Sequence, residues 1–418
     1  MLEKVREHKG RFFLGLIVIW YALAKIFFGK LTLELPIAEN TQITNIVNKA
    51  TDAISGNRTT SPIFIHVFNP IRLFINGFVD VIRGWISTPV NGASAPIIGW
   101  AGVVAIMAFA AYATSRIRIA ALVVSLLAVC GALGMWVDTM DTLAMTIAAV
   151  LLSLLIGIPM GIWAGLSDRV LKLVTPILDL AQILPTLVYM APLALFFMIG
   201  EATATIATMV YSIPISIRIT SHAIRSLNFS PVEASISMGA TEKQTLRKVQ
   251  LPMAKQMIVL GINQTVMAAL SFVVIAALIA APGLGKPIVS ALTIQNTGRG
   301  LVAGIAVVAM AIMLDRATSA AAVKQKTFIP PTPKQLAIRR RNITISGVVA
   351  ILIALSSHSI EKLQNFPVNP NIALKVETVT NNIVNYLVND LSFLTVGFKD
   401  LISIWVLNPI EDMLARAP

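Results

Sequence analysis

The chain has one cysteine, four histidines and only 13% charged residues among its 418. A single thiol, Cys130, excludes an internal disulfide. His8, His66, His222 and His358 are too scattered for any two to share a metal at ligand spacing. A phosphate-binding loop is lacking as well. Gly283-Leu284-Gly285-Lys286 has Pro287 where Ser or Thr must follow, and Ala280 stands at the first glycine position. No catalytic constellation, metal site or cofactor site is therefore expected.

What the chain has in excess is apolar sequence. Hydrophobic residues make up 56% and mean hydropathy is +0.79, far beyond a soluble domain. A membrane span needs about 20 mostly apolar residues. Nine runs qualify: 12–28, 97–114, 119–137, 142–165, 176–199, 202–220, 257–281, 301–315 and 343–357. The expectation is an all-α polytopic membrane protein, its first span an uncleaved anchor. The net charge of +13 agrees. With the N-terminus in the cytoplasm, most Lys and Arg fall in loops on that side, including Lys243, Arg247, Lys248 and Arg339–Arg341. The charge is thus a topology signal. No aromatic-studded basic groove points to nucleic acid.

One polar, basic interruption stands out, PVEASISMGATEKQTLRKVQLP at 231–252. Ser230, Pro231 and Glu233 suit the start of a short helix, Gly239 a stop, and Thr241 with Gln244 a capping box. Leu251-Pro252 is expected to end the second helix, and small Ala234 and Ser235 to let a partner's backbone come close. Glu233-Ala234-Ser235, Gly239 and Val249-x-Leu251-Pro252 resemble the EAA signature of ABC importer permeases, with Ser235 where that pattern has alanine. The resemblance implies that Glu233, Ala234, Ser235, Gly239, Val249, Leu251 and Pro252 form the coupling loop to a separate ATPase.

From about 136 to 316 the likeness narrows to permeases of the glycine betaine/proline (quaternary amine, osmoprotectant) uptake family. It is carried by GIPMGIWAG (157–165), LDLAQILPTLVYMAPLALFF (178–197), VEASISMGATEKQTLRKVQLPMA (232–254), GINQTVMAALSFVVIAALIAAPGLG (261–285) and LDR (314–316). It implies a type I importer transmembrane domain and a second permease copy, with the homodimer the expected pairing. It also implies an extracytoplasmic binding protein and a partner ATPase using ATP and Mg. The alternatives are an importer of sulfonates or nitrate sharing the loop, or an ion-coupled carrier or channel, for which intramembrane ionisable residues are scarce.

Candidate solute-path residues are the polar or helix-breaking ones inside spans: Gln182, Pro185, Thr186, Tyr189, Pro192, Asn263, Gln264, Thr265 and Ser271. Each could equally serve as an interhelical hydrogen bonder. Gly157, Gly161 and Gly165 read as a helix-packing stripe. The chain divides into an N-terminal span with an amphipathic region (1–96), a permease core (97–320), a basic linker (321–342), and an extra span with tail (343–418). Residues 61–96, broken at Pro70, read as an amphipathic helix pair on the outer surface. GF-x-D at 77–80 recurs at 397–400, and Asn-Ile-Val-Asn at 45–48 recurs at 382–385, so the tail resembles the start of a second copy.

Overall fold

The computed structural model describes residues 15, 17–22, 42–89, 95–115, 117–322, 333–367 and 370–415. Most of the first expected span, 12–28, lies outside the described residues. Among those described, the regular structure is helical throughout. The helices are α1 (Gln42–Gly56), α2 (Asn69–Ile86), α3 (Trp100–Thr114), α4 (Ile117–Ala132), α5 (Trp136–Leu166) and α6 (Asp168–Ile183). They continue with α7 (Thr186–Phe197), α8 (Glu201–Arg225), α9 (Phe229–Ser237), α10 (Glu242–Thr245), α11 (Leu251–Ile275) and α12 (Gly285–Thr293). The last six are α13 (Thr297–Ala322), α14 (Pro333–Ser359), α15 (Glu361–Gln364), α16 (Pro370–Asn385), α17 (Ser392–Ile402) and α18 (Asn408–Ala415). The described residues within 53–381 make one compact unit, and those within 1–52 and 382–418 make a second.

Five described helices are long and apolar enough to cross a membrane: Phe64–Ile86, Trp136–Leu166, Glu201–Arg225, Thr297–Ser319 and Ala337–Ser359. The run expected as one span at 176–199 is instead two helices, α6 and α7, meeting at 101°. Pro185 is the cause: it pushes Leu184 out of helical geometry (φ −63°, ψ 129°), and α7 begins at the next residue. Pro192 lies inside α7.

Residues 61–86 correct the expected helix pair. Pro70 does not break the helix, because a π turn over Phe64–Phe68 precedes it and the Asn69 N–H bonds Phe64 O. The outcome is one apolar segment of 23 residues, Phe64–Ile86.

The main core gathers around α5. Trp136, Met140 and Leu143 pack with Val123, Leu127 and Cys130 of α4, Val266 and Leu270 of α11, and Met310 and Met313 of α13. Cys130 is a small packed residue in this layer, 1% exposed. The Gly157-Gly161-Gly165 stripe brings α5 onto α8. At Gly161 a Cβ would stand 2.9 Å from the Ile217 carbonyl oxygen, and at Gly165 2.8 Å from Ile224 Cβ. The stripe is a packing surface, as its spacing suggests. Ser153 and Ser212 hydroxyls join the same pair at 2.8 Å.

The extra span α14 belongs to the larger unit. It lies along α3, with Gly347 against the Phe109 ring and Gly102 so near Ala354 that a Cβ would meet its Cα at 2.8 Å. Gly99 N–H donates to Ser357 Oγ at 3.0 Å. Beyond it, Phe366 stacks on Trp136 with ring centroids 5.0 Å apart and meets Trp100 edge-on. Farther on, Asn381 of α16 accepts the Gly298 N–H at 2.7 Å and donates to Asn296 Oδ1 at 3.0 Å, satisfying groups at the start of α13.

Candidate functional site

The polar interruption folds as a compact helical turn between α8 and α11. Its first cap is Asn228 rather than Ser230: Asn228 Oδ1 accepts the Ser230 N–H at 3.2 Å. Pro231 then sits within the first turn, where a missing N–H costs nothing. Gly239 ends α9 with φ +81°, and the Gly239 and Ala240 N–H groups bond the carbonyls of Ile236 and Ser235 at 2.8 and 3.2 Å. A Cβ at Gly239 would meet nothing within 4 Å. The left-handed backbone, not crowding, is what demands glycine here.

The second cap forms as the sequence pattern indicates. Gln244 Oε1 accepts the Thr241 N–H at 2.9 Å and Thr241 Oγ1 the Gln244 N–H at 3.4 Å. Leu251-Pro252, however, ends nothing. Helix α10 passes through a π turn, Leu246–Gln250, directly into α11, with the Leu251 N–H bonded to Leu246 O. The wider turn shifts the hydrogen-bond register, so Pro252 falls in the first turn of an α segment. Val249 and Leu251 are half-buried and Pro252 exposed.

Ser235 also lies elsewhere than its size suggests. It is buried, and its hydroxyl meets Thr245 Oγ1 at 3.0 Å. Beneath it, Ala223, Ile224 and Ala254 pack with Leu227, Leu246, Leu251 and Ile258, fixing the turn to the ends of α8 and α11. The surface left outside is formed by Glu233 and Ala234 with Phe229, Ile236 and Met238, the last three 65%, 56% and 82% exposed. Large apolar side chains standing out from a basic loop form an apolar patch suited to docking. Sequence reasoning passed over them; the signal was their presence in an otherwise polar segment.

Arg225, the last residue of α8, reaches sideways. Its Nε and Nη2 donate to the Ala164 carbonyl at 3.2 and 3.1 Å, and Nη2 pairs with Asp168 at 2.7 Å. One guanidinium thus holds the end of α5 and the start of α6 beside the loop.

The candidate path residues do not converge on one site within the chain. Asn263 is buried between α11 and α13, donating to Ser319 Oγ at 3.0 Å and accepting from Thr318 Oγ1. Thr265 is buried and bonds the Gly261 carbonyl at 2.8 Å. Gln182, Pro185, Pro192, Gln264 and Ser271 are exposed, and Thr186 half-buried. Tyr189 is half-buried, stacks on Phe272 with centroids 6.2 Å apart, and has a buried hydroxyl without a hydrogen-bond partner among the described residues. Tyr211 covers Phe272 as well, at 5.7 Å. Gln264 and Ser271, seven residues apart, share one exposed face of α11.

A charged cluster went unrecognised in the sequence. Arg83 of α2 donates to Asp141 of α5 at 2.9 Å and to Glu201 at the start of α8, and Ser87 Oγ donates to the same Asp141 carboxylate. The Arg83 and Asp141 side chains are only 16% and 7% exposed. Three distant segments meet there, which no local pattern announces.

The family described as binding-protein-dependent transport system inner membrane component matches residues 157–322, from the packing stripe through the loop to the end of α13. The glycine betaine transport system permease protein OpuAB of Bacillus subtilis is 40% identical over 261 residues, 62% of this chain and 92% of that protein. The glycine betaine/proline betaine permease ProW of Escherichia coli is 38% identical over 271 residues, covering 63% and 76%. The trimethylamine N-oxide permease TmoV of Ruegeria pomeroyi aligns over 351 residues at 28% identity, 83% of this chain and 53% of that protein.

Proposed function

The chain belongs to the glycine betaine permeases of ABC importers, and from that membership we propose that it carries glycine betaine, proline betaine, choline or a related methylated amine inward. It is a transport subunit and not an enzyme; the ATP is hydrolysed by a partner ATPase. The observation that carries the coupling role is the turn at 228–252. Its own caps and its buried Ser235–Thr245 contact make it rigid, while Phe229, Glu233, Ala234, Ile236 and Met238 face outward.

In this reading the ATPase grips that outward face from the cytoplasm, an extracytoplasmic binding protein delivers the solute, and two permease copies pair. Exposed polar side chains on membrane helices, Gln182, Gln264 and Ser271, support the pairing, because such groups avoid lipid and line water or protein. The path then lies between copies, with Tyr189 near its edge. An uncharged polar wall suits a zwitterion or a quaternary cation, which ion pairing would trap.

The test is uptake of radiolabelled glycine betaine into vesicles holding this chain, its ATPase and its binding protein. ATP-dependent uptake, competed by other methylated amines, is expected. Uptake that needs no ATP and follows an ion gradient defeats the reading, and competition by sulfonates or nitrate instead of amines redirects the substrate class.

A further inference from the structure

A groove of about 830 Å³ opens between α3, the start of α4 and α14. Its walls are apolar, with Ala108 and Phe109 on one side and Val349 and Ile353 on the other. Only one end is polar, where Ser115, Arg339 and Asn342 line it. Arg340 and Arg341 follow Arg339 on α14 outside the groove lining, all three arginines are exposed, and among the described residues none of them has a carboxylate within ion-pair distance.

The dimensions of the groove identify its occupant. From Asn342 to Ile353 the helix rises about 16 Å, close to the half-thickness, about 15 Å, of a hydrocarbon core. The groove is therefore long enough to span one leaflet, apolar along its depth and cationic at one end. We propose that it is a binding site for an anionic phospholipid, with an acyl chain along Phe109 and Val349 and the headgroup phosphate held by Arg339 and its neighbours. Arginine suits that phosphate through its paired donors, and basic pockets between helices on the cytoplasmic side are where such headgroups are held. A second copy of the chain explains the apolar walls but not the exposed Arg339 at their polar end, which has no carboxylate partner among the described residues.

The experiment uses the full-length chain in bilayers containing photoactivatable phosphatidylglycerol or phosphatidylcholine with identical acyl chains, the crosslinks being mapped by mass spectrometry. Phosphatidylglycerol is expected to label α3 and α14 several-fold more than phosphatidylcholine. Arg339→Gln should lower that preference by about five-fold, and replacing Arg339, Arg340 and Arg341 together by Gln should remove it. Ala108→Phe, which fills the groove, should reduce labelling by both lipids. Equal labelling by the two lipids in the parent protein, or a triple variant that still prefers phosphatidylglycerol, overturns the proposal. Oxidative disulfide crosslinking of a Val349→Cys variant to a second copy of the chain does so too.

Discussion

The hydroxyls of Ser235 and Thr245 meet at 3.0 Å across the glycine turn, both buried, so the two short helices of the loop are pinned to each other. Ser235→Ala leaves the Thr245 hydroxyl without this partner and is expected to cost about 1–2 kcal/mol of local stability. Adding Thr245→Val should recover part of that loss, because an apolar pair leaves no orphan group. Hydrogen exchange of the 229–250 amides in the three variants measures it. Identical exchange in parent and Ser235→Ala rules the contact out as a determinant.

Gly239 occupies left-handed backbone with free space around it. Gly239→Ala should therefore cost only about 1 kcal/mol and retain uptake. Gly239→Pro cannot adopt φ +81° and loses the N–H that bonds Ile236 O. It is expected to abolish stimulation of the ATPase in a protein that still inserts. Normal stimulation by the proline variant excludes the loop as the contact.

The outward apolar side chains supply a sharper test of docking. Met238→Glu and Phe229→Ala change exposed positions and should leave thermal stability within about 0.5 kcal/mol. Each is expected to weaken capture of the ATPase by tenfold or more, as anchors at the centre of an interface do. Co-purification at graded ATPase concentrations reads the effect, and unchanged capture by both variants removes these residues from the interface.

Arg83 joins α2 to α5 and α8 through Asp141 and Glu201. Arg83→Ala strands two carboxylates in a largely buried position and should destabilise the fold by about 3 kcal/mol. Arg83→Met combined with Asp141→Leu and Glu201→Gln should be far milder, since apolar or neutral replacements leave no unpaired charge. Thermal unfolding in detergent compares them; equal loss in both variants contradicts the ionic explanation.

Orientation can be read by thiol labelling. Native Cys130 is buried and gives little background. Ser237→Cys, at an exposed position, is expected to react only from the cytoplasm, and Asn371→Cys only from the opposite side. Reaction of both from one side contradicts the proposed topology.

What could be read in advance depended on how local its cause is. The Thr241–Gln244 cap needs four consecutive residues, and the glycine stripe needs a repeat of four; both formed as their patterns indicate. Pro70, Pro185 and Pro252 show the limit. All three are breakers by the same steric rule, yet only Pro185 turns the chain sharply, while a preceding π turn absorbs each of the others. A π turn has no short sequence signature, so the three cases look alike until the backbone is seen. The Arg83 cluster and the α3–α14 contact join residues far apart in sequence. Their assembly depends on tertiary packing alone.

The unbroken run from Glu242 to Ile275 makes the loop and the membrane helix a single stiff rod, about 50 Å long at 1.5 Å per residue. One end carries the Thr241 cap and the other carries Phe272, clasped by Tyr189 and Tyr211. A continuous helix of that kind can act as a lever, in which a tilt of its base is passed along the backbone to its tip. If the ATPase docks at the capped end as proposed, two glycines placed in the π turn would put a soft joint in the lever and uncouple ATP hydrolysis at that end from the aromatic layer at the other.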